Sequence, residues 1–247
     1  MTQSPHCSNQ ATPKKTTNFR TAAFDLDSVY GNRPQGSPEL HDLSSGEIKL
    51  RVDPLLGAEA FSRNGAPRFD LPRDPNNTAI FGDGRNDEHV VISQFHVGMV
   101  RFHNAVIDHL RKDTALANQS NEQIFKMAQR QVRWHYQSII LHEFLPLTIG
   151  QELVDNLLRK GPRFYRVDDD PDGRHDKRSK DPLIPIEFSV AAYRFGHSQI
   201  RPSYRLNFGP KAGSEFFAFI FDDTEDPNDP DPIDLRGEKR APRRFVD

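Results

Sequence analysis

Three places in this sequence hold side chains whose types and spacing could do chemistry. His197 closes the run Phe188-Ser-Val-Ala-Ala-Tyr-Arg-Phe-Gly-His197, semi-apolar and rich in small residues. A neutral imidazole there is either a metal ligand or a histidine satisfied in a core or groove, and spacing alone leaves both open. Arg85 is a permanent cation in Phe81-Gly-Asp-Gly-Arg-Asn-Asp-Glu88, where Asp87 and Glu88 also suit the positive end of a helix dipole. In Arg20-Thr-Ala-Ala-Phe-Asp-Leu-Asp-Ser-Val-Tyr-Gly31 oxygen-bearing side chains alternate, a pattern that suits a hard cation and equally a short strand ending in a glycine turn. His89, His96 and His103 fall seven residues apart, as do His135 and His142. Lacking i, i+4 partners, they read as a helix stripe rather than a zinc face.

The elements that must position these groups are mostly helical. Between Asp87 and Asp113, Val90, Phe95, Met99, Phe102, Val106 and Leu110 recur at three- and four-residue spacing, predicting one long amphipathic helix. Ser120 with Gln123 forms a capping signature for a second helix running to Phe144, ended by Pro146 and Gly150 and lying antiparallel to the first. A shorter helix is expected over 151–160, and another over 186–200 behind Pro185. Residues 1–18 are too poor in apolar groups to fold and are expected to be disordered, leaving 19–247 as one domain. Residues 20–78 read as a looped wrapping segment with one short hairpin, while 167–181 and 222–232 read as charged loops.

Composition narrows the function. Among 247 residues the formal charge is only -2, so no global field draws the chain to nucleic acid or anionic lipid. Small-molecule chemistry or protein contact is left. The single cysteine, Cys7, excludes an intrachain disulfide and thiolate metal clusters. Residues 1–15 contain no apolar run that would serve as a signal or membrane span. A cytoplasmic location is the default expectation, and secretion stays open should the true N-terminus lie further upstream.

The words around these residues add a family resemblance. Phe188 to Ile200 closely resembles the proximal-helix signature of animal-type haem peroxidases, and Gly-Asp-Gly-Arg85-Asn-Asp-Glu88 resembles their distal stretch. Arg20 to Gly31 is similar to their calcium loop, and Phe102-His-Asn104 and Glu143-Phe-Leu-Pro-Leu-Thr-Ile-Gly150 follow in the expected order. The resemblance implies a mainly α-helical haem peroxidase-like fold with long irregular loops. It implies haem b as cofactor, with His197 as proximal iron ligand and Gly196 and the alanines letting the flat macrocycle approach. Arg85 would polarise the peroxide O–O bond, and Glu88 stands where some members attach a carboxylate to a haem methyl. Calcium ligands carried over by position are the side chains of Thr21, Asp25 and Asp27 and the carbonyl of Ala23. The implied activity is reduction of hydrogen peroxide with oxidation of a small-molecule electron donor, as in a response to oxidative stress.

Two family features find no match. Nothing in Met1 to Phe19 resembles the Gln-x-x-x-His-Asp stretch carrying the distal general base, and the Asn expected behind the proximal imidazole has no counterpart up to Asp247. The sequence is therefore expected to be an internal piece of a peroxidase domain. A non-catalytic haem-binding remnant is one alternative. A fatty-acid dioxygenase of the same superfamily is another; its Tyr-Arg-Trp-His word is one residue shorter than Tyr193-Arg-Phe-Gly-His197, which turns the tyrosine by about 100° on a helix and disfavours it.

Overall fold

A computed structural model describes residues 23–31, 37–46, 48–60, 65–161 and 186–201, with the backbone of 203–208 and 215–219. The chain divides into two units, residues 1–23 with 162–194 and residues 24–161 with 195–247. The second contains the helical middle. After a four-residue helix α1 (Asp27–Tyr30), the long helix α2 spans Val90–Arg111. Of the expected apolar series it buries Val90, Met99, Val106, Ile107 and Leu110, together with Val97, Val100 and His103, whereas Phe95 is 58% exposed. Helix α3 (Asn121–Ile139) opens with both halves of the capping box: Gln123 N–H donates to Ser120 Oγ at 3.2 Å and Ser120 N–H to Gln123 Oε1 at 2.8 Å. The two helices are antiparallel, with Arg111 bonded to Asn121 at one end and the rings of Phe102 and His135 5.2 Å apart toward the other. Their shared core takes in Val29, Tyr30, Ile48 and Leu50 from the wrapping segment. Each such aliphatic side chain contributes about 1.5–3 kcal/mol by leaving water.

Pro146 does not end the second helix, contrary to expectation. The chain passes from α3 through a π-turn (Ile140–Phe144) into α4 (Leu145–Ile149), and stops only at Gly150, whose φ is 85°. Proline lacks the N–H a regular α-turn would use, and it sits at the start of α4, where no such donor is needed; the wider turn absorbs the change of register. Helix α5 (Gln151–Lys160) follows with the expected bounds.

The wrapping segment holds the anticipated hairpin, with His41 bridging Leu50 and Asp42 N–H donating to Lys49 O at 2.9 Å. Two further short strands, β1 (Asp53–Pro54) and β2 (Phe69–Asp70), pair antiparallel. Asn104 of α2 completes the edge: its Oδ1 accepts from Leu50 N–H and its Nδ2 donates to Leu50 O, both at 2.8 Å. The helix expected over 186–200 is shorter than the sequence suggests. It is α-helical only in α6 (Ile186–Val190) and continues as a 3₁₀ helix over Ala192–Gln199. Neither piece buries a side chain, so no packing enforces α geometry against Gly196. An antiparallel hairpin of β3 (Ser203–Phe208) and β4 (Glu215–Phe219) was not expected. The segments 1–18, 167–181 and 222–232 lie outside the described residues. No described helix is long and apolar enough to cross a membrane.

Candidate functional site

Arg85 lies in a four-residue 3₁₀ turn, Gly84–Asp87, immediately ahead of α2. Asp83 caps that turn, accepting Arg85 N–H at 3.1 Å, and its carboxylate also takes the guanidinium at 2.9 and 2.5 Å. This pairing holds the guanidinium's pKa above its ordinary value, with smaller help from Asp27 and Glu88. The Arg85 side chain is still 68% exposed. Glu88 is exposed at the end of the turn. His89, the next residue, caps α2 by accepting Val91 N–H on Nδ1 at 3.2 Å.

A buried ionic network lies under this turn. Arg73, with an 8% exposed side chain, donates to both oxygens of Asp87 at 2.7 Å, to Asp70 at 2.9 Å and to Asn77 O at 3.0 Å. Burial works against its charge, but Asp87 and Asp70 outweigh it and hold the guanidinium firmly protonated. Removing one partner would strand buried charge, at a cost of about 3–5 kcal/mol. Asn86 is bonded to His96 of α2 at 2.8 Å, and that ring meets Phe81 edge-on. Burial lowers the His96 pKa to about 4, so the imidazole is neutral at physiological pH. Sequence reasoning did not single out Arg73; an arginine three residues after an aspartate in Phe69-Asp-Leu-Pro-Arg73 was the available signal.

The calcium-like segment meets the Arg85 turn through Gly82. A Cβ at Gly82 would fall 2.7 Å from Ser28 O and 3.2 Å from Asp27 O, so only glycine lets the two backbones approach this closely. Asp25 Oδ1 accepts Asp27 N–H at 3.3 Å. Arg133 donates to Asp25 O and Gln137 to Phe24 O, fastening the segment to α3. Of the four expected calcium ligands, Asp25 and Asp27 stand at this turn, Ala23 is an exposed bend, and Thr21 lies outside the described residues.

Below α1 the core contains a polar pair. His103 Nε2 donates to Ile48 O at 3.2 Å, so its Nδ1 is the acceptor for Tyr30 O–H, also at 3.2 Å. Phe125 packs on both rings, at 5.0 Å from His103 and 6.0 Å from Tyr30. Burial lowers the His103 pKa to about 4 and raises that of Tyr30. His96 and His103 thus form the helix stripe that their spacing suggested, and serve the core.

His197 is exposed on the 3₁₀ helix, one residue beyond Gly196, where an added Cβ would meet nothing within 4 Å. Phe195 and Ile200 beside it are 46% and 45% exposed. Among the described residues no hydrogen bond or ion pair joins His197 to Arg85 or Glu88.

The animal haem peroxidase family model matches residues 1–219, a stretch that contains every one of these motifs. The chain belongs to that family. Among curated animal haem peroxidases, it is similar to a chorion peroxidase of Drosophila melanogaster, 29% identical over 199 residues, covering 78% of this chain and 22% of that one. Thyroid peroxidase of Homo sapiens is 28% identical over 206 residues, covering 79% of this chain and 21% of its own. A chorion peroxidase of Aedes aegypti is 26% identical over 237 residues, covering 95% and 28%. The chain therefore spans only 21% to 28% of the length of these relatives. A solved structure, peroxidase A from Dictyostelium discoideum, aligns with a TM-score of 0.49 at 18% identity, covering 76% of this chain and 33% of that one. Membership of this family implies a haem cofactor, and the exposed donors are chemically suited to one. An accessible imidazole can ligate iron, and the open Gly196 with its apolar neighbours leaves room for a flat macrocycle.

Proposed function

We propose that this chain carries the haem-contacting part of a peroxidase that reduces hydrogen peroxide at the expense of a small-molecule donor. The observation that carries this reading is the family match across 1–219, which spans both Arg85 and His197. Haem b, when bound, supplies the iron through which electrons pass to peroxide. His197 would ligate that iron, and the open space at Gly196 would leave the approach clear. Arg85 faces the peroxide and stabilises negative charge as the O–O bond breaks; Asp83 keeps its guanidinium in one orientation. Glu88 is, by resemblance, the carboxylate that would stand where some family members carry an ester to a haem methyl. Asp25 and Asp27, with Thr21 and the Ala23 carbonyl, bind calcium and stiffen the segment against which Gly82 packs. Defence against oxidative stress is the biological setting this chemistry suits.

The proton bookkeeping is the weak point of turnover. The histidines near Arg85 are already engaged, His89 in capping α2 and His96 in bonding Asn86. Those engaged histidines favour a second reading, haem binding with little turnover. A haem titration of the purified chain with and without His197→Ala, followed by a peroxide challenge, separates the possibilities. A Soret shift lost in the variant supports His197 as ligand, and turnover then supports the peroxidase over the haem-binding remnant. Equal uptake by both proteins would sink the assignment of His197.

A further inference from the structure

A four-residue turn cannot hold its own shape, because a single helical turn fixes several dihedrals for one or two hydrogen bonds. Gly84–Asp87 must therefore be held from outside. Asp83 caps its start. Asn86 is tied to His96, and Asp87 is gripped through both oxygens by Arg73. Arg73 is itself anchored elsewhere, by Asp70 in β2 and by the carbonyl of Asn77. A bidentate arginine–carboxylate contact fixes angle as well as distance, which a single hydrogen bond does not. The network is also nearly dry, with side-chain exposures of 8% for Arg73, 4% for Asp70 and 12% for Asp87. Arg85 is the opposite case, a solvent-facing guanidinium whose described hydrogen-bond partner is Asp83.

We propose that Arg73 is the positioning residue of the distal turn: through Asp87 it sets where Arg85 and Glu88 stand, without itself meeting peroxide or haem. The proposal rests on the reading of Arg85 as the peroxide-facing group. Its structural half, that Arg73 holds the turn, stands apart from that reading and is measured separately. Arg73 is not placed as a direct participant, since four of its five N–H donors are spent on Asp87, Asp70 and Asn77 and its side chain is only 8% exposed. A lysine in its place could keep the charge but not the two parallel bonds.

The test uses Asp87→Asn, which removes the charge and one of the two acceptors of the tether while leaving the buried Arg73–Asp70 pair, and Arg73→Lys as the charge-conserving variant. On the full chain without haem, hydrogen exchange at the amides of Arg85 and Asn86 is expected to quicken about tenfold in both, while Val100 and Ile107 in α2 keep their protection. Unchanged exchange in the turn overturns the proposal, whatever haem does. Uniform loss of protection throughout α2 also overturns it, because the network would then be general scaffolding. On the haem-loaded chain, the rate of reaction with hydrogen peroxide is expected to fall about tenfold in Asp87→Asn but not to fall further when Asp87→Asn is added to Arg85→Gln. Additive losses would show that Arg73 does not act through Arg85, and would overturn the positioning role. If Arg85→Gln alone leaves that rate unchanged while the exchange result holds, the reading of Arg85 falls and the tether stands.

Discussion

At Arg85 function and stability are separable. Its side chain is largely in water and its described hydrogen-bond partner is Asp83, so its replacement disturbs little packing. Arg85→Gln is expected to leave the thermal midpoint nearly unchanged, as surface substitutions usually do within about 0.5 kcal/mol. In the haem-loaded chain the same change should slow the peroxide reaction by on the order of 10²–10³-fold, the usual effect of losing one donor aimed at developing charge; stopped-flow mixing measures it. His96 and His103 behave in the reverse manner. Their folded pKa values are about 4, against about 6.5 for an unfolded histidine, so the unfolded chain takes up these protons first. Their contribution is intact above pH 6.5, is lost progressively as pH falls toward 4, and levels off once the folded rings protonate too. Each ring accounts for on the order of 3 kcal/mol over that window. Urea midpoints measured from pH 7 to 4 should fall less steeply in His103→Gln, and parallel curves would refute the assignment.

Among the elements, the junction of α1 with the Arg85 turn packs backbone directly against backbone. Gly82→Ala places a methyl carbon 2.7 Å from the Ser28 carbonyl oxygen, and because that neighbour is backbone it cannot swing aside. A loss of about 1–3 kcal/mol is expected in urea unfolding, together with faster exchange at the amides of Tyr30 and Gly31. The elements also show what was readable in advance. α2 and α3 were legible because each buries one face at helical spacing, and Ser120 with Gln123 marks its own start. The π-turn before Pro146 was not, since a proline signals interruption without saying whether the chain stops or widens. β3 and β4 were missed although Tyr204, Leu206 and Phe208 alternate, because their partner lies beyond a glycine-containing connection. The Arg85 and His197 words were visible as words. The Arg73 clamp was not, because Asp70 and Asp87 lie 3 and 14 residues away and only the fold closes the gap.

Over the whole molecule, apolar side chains on the later helices face outward. Trp134, Phe144, Leu147 and Leu158 are 59%, 55%, 88% and 58% exposed, on a chain whose formal charge of -2 offers little mutual repulsion. The purified chain is expected to bind an apolar fluorescent dye and to associate as its concentration rises. Leu147→Lys combined with Leu158→Lys should reduce both, as read by dye fluorescence and light scattering; dye binding that does not change would show that these side chains are covered in solution. Asn104 bears on a different global property. Its amide grips Leu50 by both N–H and C=O, standing in for a neighbouring strand, so the point where the chain rejoins the core is set from α2. The connection after Asp42 therefore does not carry register alone, and a peptide inserted there is expected to leave the seating of Leu50 on α2 unchanged.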